Sequence, residues 1–304
     1  MQTKNVKIPS PFDGLELNVL LATPDDGAVK GIIQIAHGMC EYIARYLPTM
    51  EYFTAKGYAV VGNDHRGHGE SVRQEGDLGW FYDQNGKALV EDLAAITRWV
   101  KALYPHAPIT LFGHSMGSMA SMVYLQEYDG LLDKLVLSGS PTKNPAAGIA
   151  VALSDVIAAF KGKRHRSKTL YTLSIGAYEK KFAGEGKASW LATNRETVEK
   201  YVNDPFCAYV FTCNGYRNLF SLLKNAYTRK RYKAQNPTLP IFFIAGGDDP
   251  VIGNEKQWRA AQEFLRKCGY QSVDGSLHAG YRHELLNETD PLPFWEEILA
   301  FIKQ

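Results

Sequence analysis

The 304-residue chain has only four cysteines, Cys40, Cys207, Cys213 and Cys268, and no C-x-x-C pair. Such scatter suits buried thiols in a reducing compartment better than a disulfide framework or a zinc site. No apolar run reaches the roughly 18 residues needed to span a bilayer. The longest, at 149–160, is broken by Ser154 and Asp155. The N-terminus has no basic stretch leading into an apolar core, so no secretory signal is read and a cytoplasmic location is expected. A large charge of one sign is missing too: the formal net charge is +2, with a pI near 8.2. That balance argues against a nucleic-acid partner. Internal repeats and low-complexity tracts are absent. Gly67-His68-Gly69 lacks the third glycine of a dinucleotide fingerprint, and His65 and His68 have no carboxylate-rich partner segment for a metal. No metal or organic cofactor is implied.

What is present is the composition of an ordinary globular protein, 45% apolar and 22% charged. Strand patterns at 15–22, 31–36 and 58–62 alternate with helical patterns at 45–56 and 87–103. A strand at 132–138 follows, and alternation resumes at 239–245 (strand), 255–267 (helix), 270–273 (strand) and 292–303 (helix). Repeated β-α-β units predict an α/β fold with a mostly parallel sheet flanked by helices. The rhythm stops over 141–235, which is rich in helical, aromatic and basic residues. That stretch holds 17 Lys and Arg against 6 Asp and Glu, whereas the rest of the chain holds 17 against 26. It therefore reads as a helical insertion, 141–235, in a core made of 1–140 and 236–304.

Gly113-His114-Ser115-Met116-Gly117 is the most informative motif. The β-branched and aromatic run Ile109-Thr110-Leu111-Phe112 precedes it, and a helical stretch from Ser118 follows. Strand, G-x-S-x-G, helix is the context of a nucleophile elbow, where glycines allow close backbone approach and the serine sits at a helix start. A serine needs a base, and the base needs a carboxylate to orient it. Both partners are expected after Ser115, just beyond later strands. Asp248 and Asp249 compete for the acid, since either could instead cap the turn after the strand at 239–245. His283 and His278 compete for the base, with His283 favoured. Oxyanion donors are expected from the backbone N–H of Met116 and from the loop His37-Gly38-Met39, where Met39 N–H is the candidate.

These pieces together resemble the α/β-hydrolase superfamily, in particular its monoacylglycerol lipase and lysophospholipase branch. The matching segments are His37-Gly38-Met39-Cys40-Glu41, residues 63–71, Gly113 to Gly117, Gly247-Asp248-Asp249-Pro250 and Arg282-His283-Glu284-Leu285. They span nearly the whole chain in the expected order. The resemblance implies Ser115 as nucleophile, Asp249 as acid, His283 as base, and a cap over the site formed by the insertion. It departs mildly at Ser118, where a second glycine is common in the family. The insertion is the least alike, so the substrate is where the resemblance says least.

The resemblance implies a serine ester hydrolase acting on monoacylglycerol or lysophospholipid esters. The same scaffold also supports small-ester carboxylesterases, thioesterases and peptidases, and non-catalytic binding proteins. A dehalogenase would need Asp at position 115. The apolar stretch 149–160, followed by the basic run 161–168 and by Arg229-Lys230-Arg231, reads either as a packed helix with a solvated charge run or as an acyl-chain wall. In the second reading the basic residues meet a lipid headgroup or membrane surface.

Overall fold

The structure, a computed structural model, describes residues 1–304. Eight strands form one sheet: β1 (Gln2–Pro9), β2 (Glu16–Thr23), β3 (Gly31–Ala36), β4 (Tyr58–Asn63), β5 (Ile109–His114), β6 (Lys134–Ser138), β7 (Ile241–Gly246) and β8 (Val273–His278). Their spatial order is β1-β2-β4-β3-β5-β6-β7-β8. β2 runs antiparallel to both β1 and β4, and all other pairings are parallel. β3, β4, β5 and β7 are buried along their whole length, which is why they read as unbroken apolar runs.

Successive residues of the central strands feed two separate cores, as a period of two requires. Ile33, Ile35 and Val60 face α1 (Leu47–Ala55) and the C-terminal helix Leu292–Lys303, where Phe53, Phe294 and Ile298 pack. Ile32, Val61 and Leu111 belong to the opposite core, with α2 (Lys87–Leu103), α3 (Met116–Tyr128) and the helix Glu255–Lys267. Between β6 and β7 the chain forms only helices. These are α4 (Ala147–Lys161), α5 (Lys168–Tyr171), which passes through a π-helical turn (Thr172–Gly176) into α6 (Ala177–Lys181), then α7 (Arg195–Asn203) and α8 (Cys213–Ala226). The later helices Glu255–Lys267 and Leu292–Lys303 are α9 and α10.

Helix α8 is fastened to the loop before α2 by two buried amides. Asn214 accepts from Phe81 N–H (2.9 Å) and donates to the Asp83 carbonyl (2.5 Å). Asn218 accepts from Gly86 N–H (2.7 Å) and donates to the same carbonyl (2.9 Å). The loop at 63–71 is pinned just as firmly. Fully buried Arg66 donates to Asp92 (2.8 Å), Ser10 (3.0 Å), Asp13 (3.2 Å) and the Phe81 carbonyl (3.0 Å). A buried ion pair of this kind costs about 3–5 kcal/mol when one partner is removed.

Two strands differ from the sequence-based expectation. β1 went unread because its residues are mostly exposed, as suits an edge strand paired on one side only. β8 begins at Val273, where the expected strand ended, because Asp274 and Gly275 look like turn residues yet pair with Phe242 and Phe243 of β7. The stretch expected as one helix from Arg45 begins as a 3-10 turn (Ile43–Tyr46), and α1 starts at Leu47 with Pro48 in its first turn.

The junction of β5 and α3 is the tightest point of the fold. A Cβ on Gly117 would lie 2.0 Å from the Ala36 carbonyl oxygen, and one on Gly113 would lie 2.8 Å from the Gly117 carbonyl. Gly117→Ala is expected to push α3 off β3 and cost about 1–3 kcal/mol or more. The measurement is the thermal unfolding midpoint, and an unchanged midpoint would mean that α3 can move away without loss.

Candidate active site

Ser115 occupies the turn between β5 and α3 with φ 53° and ψ −115°, outside the regions a side-chain-bearing residue ordinarily adopts. Such strain of about 1–3 kcal/mol persists only when the surroundings over-determine it. Here Ser115 N–H bonds the Ser138 carbonyl (2.9 Å), and the Ser115 carbonyl accepts from Ser118 N–H (3.0 Å) and the Ser118 hydroxyl (2.6 Å). The position that departs from the family pattern, Ser118, is therefore part of the turn.

Asp249 follows β7, and His283 lies in the loop between β8 and α10. Both are buried, at 1% exposure each, and His283 Nδ1 meets Asp249 Oδ2 at 2.8 Å. The other carboxylate oxygen of Asp249 accepts from Val251 N–H (2.8 Å). Asp248 is exposed, and its backbone carbonyl accepts from Lys181. His278 ends β8 and pairs with Glu297 (2.8 Å). The structure thus brings Asp249 to His283 and leaves Asp248 and His278 elsewhere. Burial alone would lower the His283 pKa, but the Asp249 charge and hydrogen bond outweigh it and hold the imidazole above its ordinary value.

His283 is enclosed on several sides. The His114 ring lies 4.6 Å from it and the Trp190 ring 5.2 Å, centroid to centroid. Gly139, at φ 53°, lies so close that a Cβ there would come within 2.8 Å of the imidazole. Burial, with the neighbouring His283, pushes the His114 pKa down to about 3, so that ring stays neutral beside the titrating one.

The loop after β3 is shaped by a second constellation. Gly38 N–H donates to Glu41 (2.5 Å), and the Met39 N–H forms no hydrogen bond within the protein. Met116, first residue of α3, has no intrahelical acceptor for its own N–H. Both methionines line the same cavity as Ser115 and His283. Below the loop, His37 donates through Nδ1 to the Gly38 carbonyl (2.8 Å) and accepts from His65 N–H at Nε2 (2.9 Å). His65 returns a bond to the His37 carbonyl (3.1 Å). Burial holds the pKa of His65 near 3 and that of His68 near 4, so these rings act as neutral spacers beneath the loop.

Sequence reasoning missed the bridge that joins the two loops. Arg45 donates to Glu41 (2.5 Å) and, through both terminal nitrogens, to Glu284 (3.0 and 2.7 Å). Glu41 also holds Gly38, and Glu284 follows His283, so one guanidinium ties the Gly38 turn to the His283 loop. Desolvation would raise the Glu284 pKa, yet Arg45 draws it down to about 2. Arg45 and Glu284 stand 239 positions apart, and no spacing rule could have paired them. Trp190 was equally invisible, because the segment carrying it has no periodic pattern.

The cavity enclosing these groups has a volume of about 450 Å³, and 24 of its 35 lining residues are apolar. One wall comes from α4 and α8, with Ile149, Ala150, Leu153, Leu219 and Phe220. Such a site pairs a serine and a carboxylate-held imidazole with N–H groups that have no partner in the protein, in a chamber lined mostly by apolar side chains. That combination is suited to acyl transfer.

Comparisons with known proteins agree. The family described as "Serine aminopeptidase, S33" matches residues 27–290. A probable lysophospholipase L2 of Haemophilus influenzae is 30% identical over 282 residues, covering 87% of this chain and 80% of that protein. A monoacylglycerol lipase of Mycolicibacterium smegmatis is 25% identical over 283 residues, 92% of this chain and 90% of that one. Among solved structures, a thermostable carboxyl esterase from Bacillus coagulans superposes with a TM-score of 0.89 at 25% identity, covering 100% of this chain and 98% of the other. The chain belongs to the S33 family of α/β-hydrolases and is a serine ester hydrolase.

Proposed function

We propose that the protein hydrolyses monoacylglycerol- or lysophospholipid-type esters through an acyl-enzyme on Ser115. The observation that carries this reading is the apolar cavity whose wall contains both Ser115 and His283. Its α4–α8 wall offers an acyl chain a place out of water, worth about 0.8 kcal/mol for each methylene buried. The names of the curated relatives support the same class. Residues 1–140 and 236–304 act as the catalytic core and 141–235 as a cap.

His283 Nε2 takes the Ser115 hydroxyl proton as Oγ attacks the ester carbonyl. The tetrahedral oxyanion is held by the N–H groups of Met39 and Met116. Collapse breaks the ester C–O bond, and His283 returns its proton to the departing alkoxide, which leaves as the alcohol. A water then loses a proton to His283 and attacks the acyl carbon, and the Ser115 oxygen recovers that proton as the fatty acid departs. Asp249 holds the imidazole tautomer and stabilises the imidazolium.

The exposed face of α4 carries Val156 (52% exposed) and Phe160 (87%), with Lys161 and Lys163 at its end. These residues support a peripheral contact between the cap and a lipid surface. The four free thiols fit a cytoplasmic location.

Ser115→Ala is expected to lower kcat by about 10⁴-fold or more while the unfolding midpoint stays near that of the parent. Fluorophosphonate labelling should vanish with it, and substantial residual turnover would reject Ser115 as nucleophile. The base must be neutral, so kcat/KM should fall as pH drops through the His283 pKa, with an acidic midpoint above about 6.5. Asp249→Asn should lower that midpoint as well as the rate; a midpoint that stays put would separate Asp249 from the base. Across p-nitrophenyl esters from acetyl to palmitoyl, activity should rise toward octanoyl or longer. A maximum at acetyl to butyryl would place the protein with small-ester carboxylesterases.

A further inference from the structure

We infer that His37 is a positioning residue of the oxyanion site: its imidazole, locked in one tautomer by the His65 backbone N–H, holds the Gly38–Met39 peptide so that the Met39 N–H faces the reacting ester. This rests on the ester-hydrolase reading of the site, in which Met39 is one of the two oxyanion donors.

The two donors are held in different ways. Met116 is the first residue of α3, so its peptide is fixed by the helix. No helix or strand fixes Met39. Residues 37–42 lie between β3 and the 3-10 turn Ile43–Tyr46, and no backbone–backbone hydrogen bond involves Gly38, Met39, Cys40 or Glu41. The peptide units on either side of Gly38 are gripped by side chains instead. The unit before it donates its N–H to Glu41 (2.5 Å), and the carbonyl of the unit after it accepts from His37 Nδ1 (2.8 Å).

That second bond decides where the Met39 N–H points. The peptide is trans and planar, so its carbonyl and its N–H project in opposite directions. The Gly38 carbonyl is turned onto His37, which is fully buried. The Met39 N–H is therefore turned away from His37, on a segment where Gly38 and Met39 line the cavity beside Ser115. It meets no acceptor in the protein. Were this peptide to flip, the Gly38 carbonyl oxygen would take the place of that N–H, presenting an acceptor where a developing oxyanion needs a donor.

The tautomer follows from His65. Its backbone N–H donates to His37 Nε2 (2.9 Å), and a backbone amide can only donate, so Nε2 carries no proton. The neutral ring then has its proton on Nδ1, where the Gly38 carbonyl accepts it. His65 Nε2 donates in return to the His37 carbonyl (3.1 Å), and the two rings lie 4.0 Å apart. His65 Nδ1 is then a bare acceptor, and it is the ring atom left without a partner. Burial, with His65 and His68 nearby, holds the His37 pKa well below its ordinary value. An imidazolium, which would break the bond from His65 N–H, is disfavoured on both counts.

Two measurements test this. Long-range proton–nitrogen correlation spectra of the parent should show the His37 ring, assigned by its loss in His37→Asn, protonated at Nδ1 and bare at Nε2. A proton on Nε2 overturns the role whatever the variants do. Kinetics then compare His37→Asn, whose amide nitrogen can stand in for Nδ1, with His37→Phe, which keeps a ring and loses the donor. His37→Phe should lower kcat for p-nitrophenyl octanoate by about a hundredfold, the scale of one oxyanion donor, with KM near that of the parent. An alkyl trifluoromethyl ketone, whose adduct with Ser115 puts an oxyanion in the same place, should bind more weakly by a similar factor. His37→Asn should recover most of both losses. The acidic midpoint of kcat/KM, which belongs to His283, should stay put in each variant. A folded His37→Phe that keeps its kcat, or one that loses kcat while the ketone binds as before, overturns the role and leaves the ester-hydrolase reading intact. A parent that shows the tautomer and labels at Ser115 but hydrolyses no ester overturns that reading, and the role with it.

Discussion

The close approach of α3 to the end of β3 is the constraint on which the rest of the site depends. Gly117 lies against the Ala36 carbonyl with no room for a side chain, and the chain must turn from strand to helix within a few residues. That turn forces Ser115 into its strained conformation. It also carries Met116 to the chamber that Met39 lines, so two residues from distant parts of the chain share one cavity. The parallel order of β3, β5, β6 and β7 then delivers the remaining groups to the same edge. In an open α/β sheet every loop that leaves a parallel strand emerges on that side. Asp249 and His283 arrive there because β7 and β8 continue the sheet in register.

Around this edge the charges are arranged so that few of them can change. Glu41 and Glu284 are tied to Arg45, and His37, His65, His68 and His114 are driven toward neutrality by burial. His283 is the exception, since its carboxylate partner outweighs the desolvation that lowers the others. Five buried imidazoles therefore divide into four whose pKa is held down and one whose pKa is held up, and the division is made by a single partner. A cation at His114 would oppose one on His283, whose ring lies 4.6 Å away, so the neutral His114 leaves Asp249 as the charge that sets the His283 shift.

Much of the fold was legible because the central strands are buried on both faces and the helices keep a clean period. The edges were less so. β1 has only Val6 and Ile8 turned to the core to reveal it, and β8 hides behind Asp274 and Gly275, whose pairing with β7 overrides their turn preference. Ser115 was readable because its elbow is local, with strand, turn and helix lying within twenty residues. Position alone narrowed the acid and base to pairs, with His283 favoured, and only the family resemblance of residues 247–250 and 282–285 pointed to Asp249 and His283, because a chain by itself does not show which carboxylate turns inward. Arg45 was silent for a different reason: its meaning lies in joining residues 41 and 284, a relation that exists only in three dimensions.

The helical segment between β6 and β7 resisted reading most. Apart from the long helices α4 and α8 its elements are short, three carry no buried residues, and a π-helical turn joins α5 to α6. Yet it is not a detached cover. The His283 loop binds it on both sides of the imidazole, through Arg282 to Ser189 and Glu185 and through the Glu284 N–H to Leu191, while Trp190 packs on the ring between them. Displacing residues 185–191 would therefore remove contacts that fix the imidazole, whereas α4 makes no hydrogen bond to that loop and turns apolar side chains outward. The contacts that fix the imidazole are thus carried by residues 185–191 and not by α4.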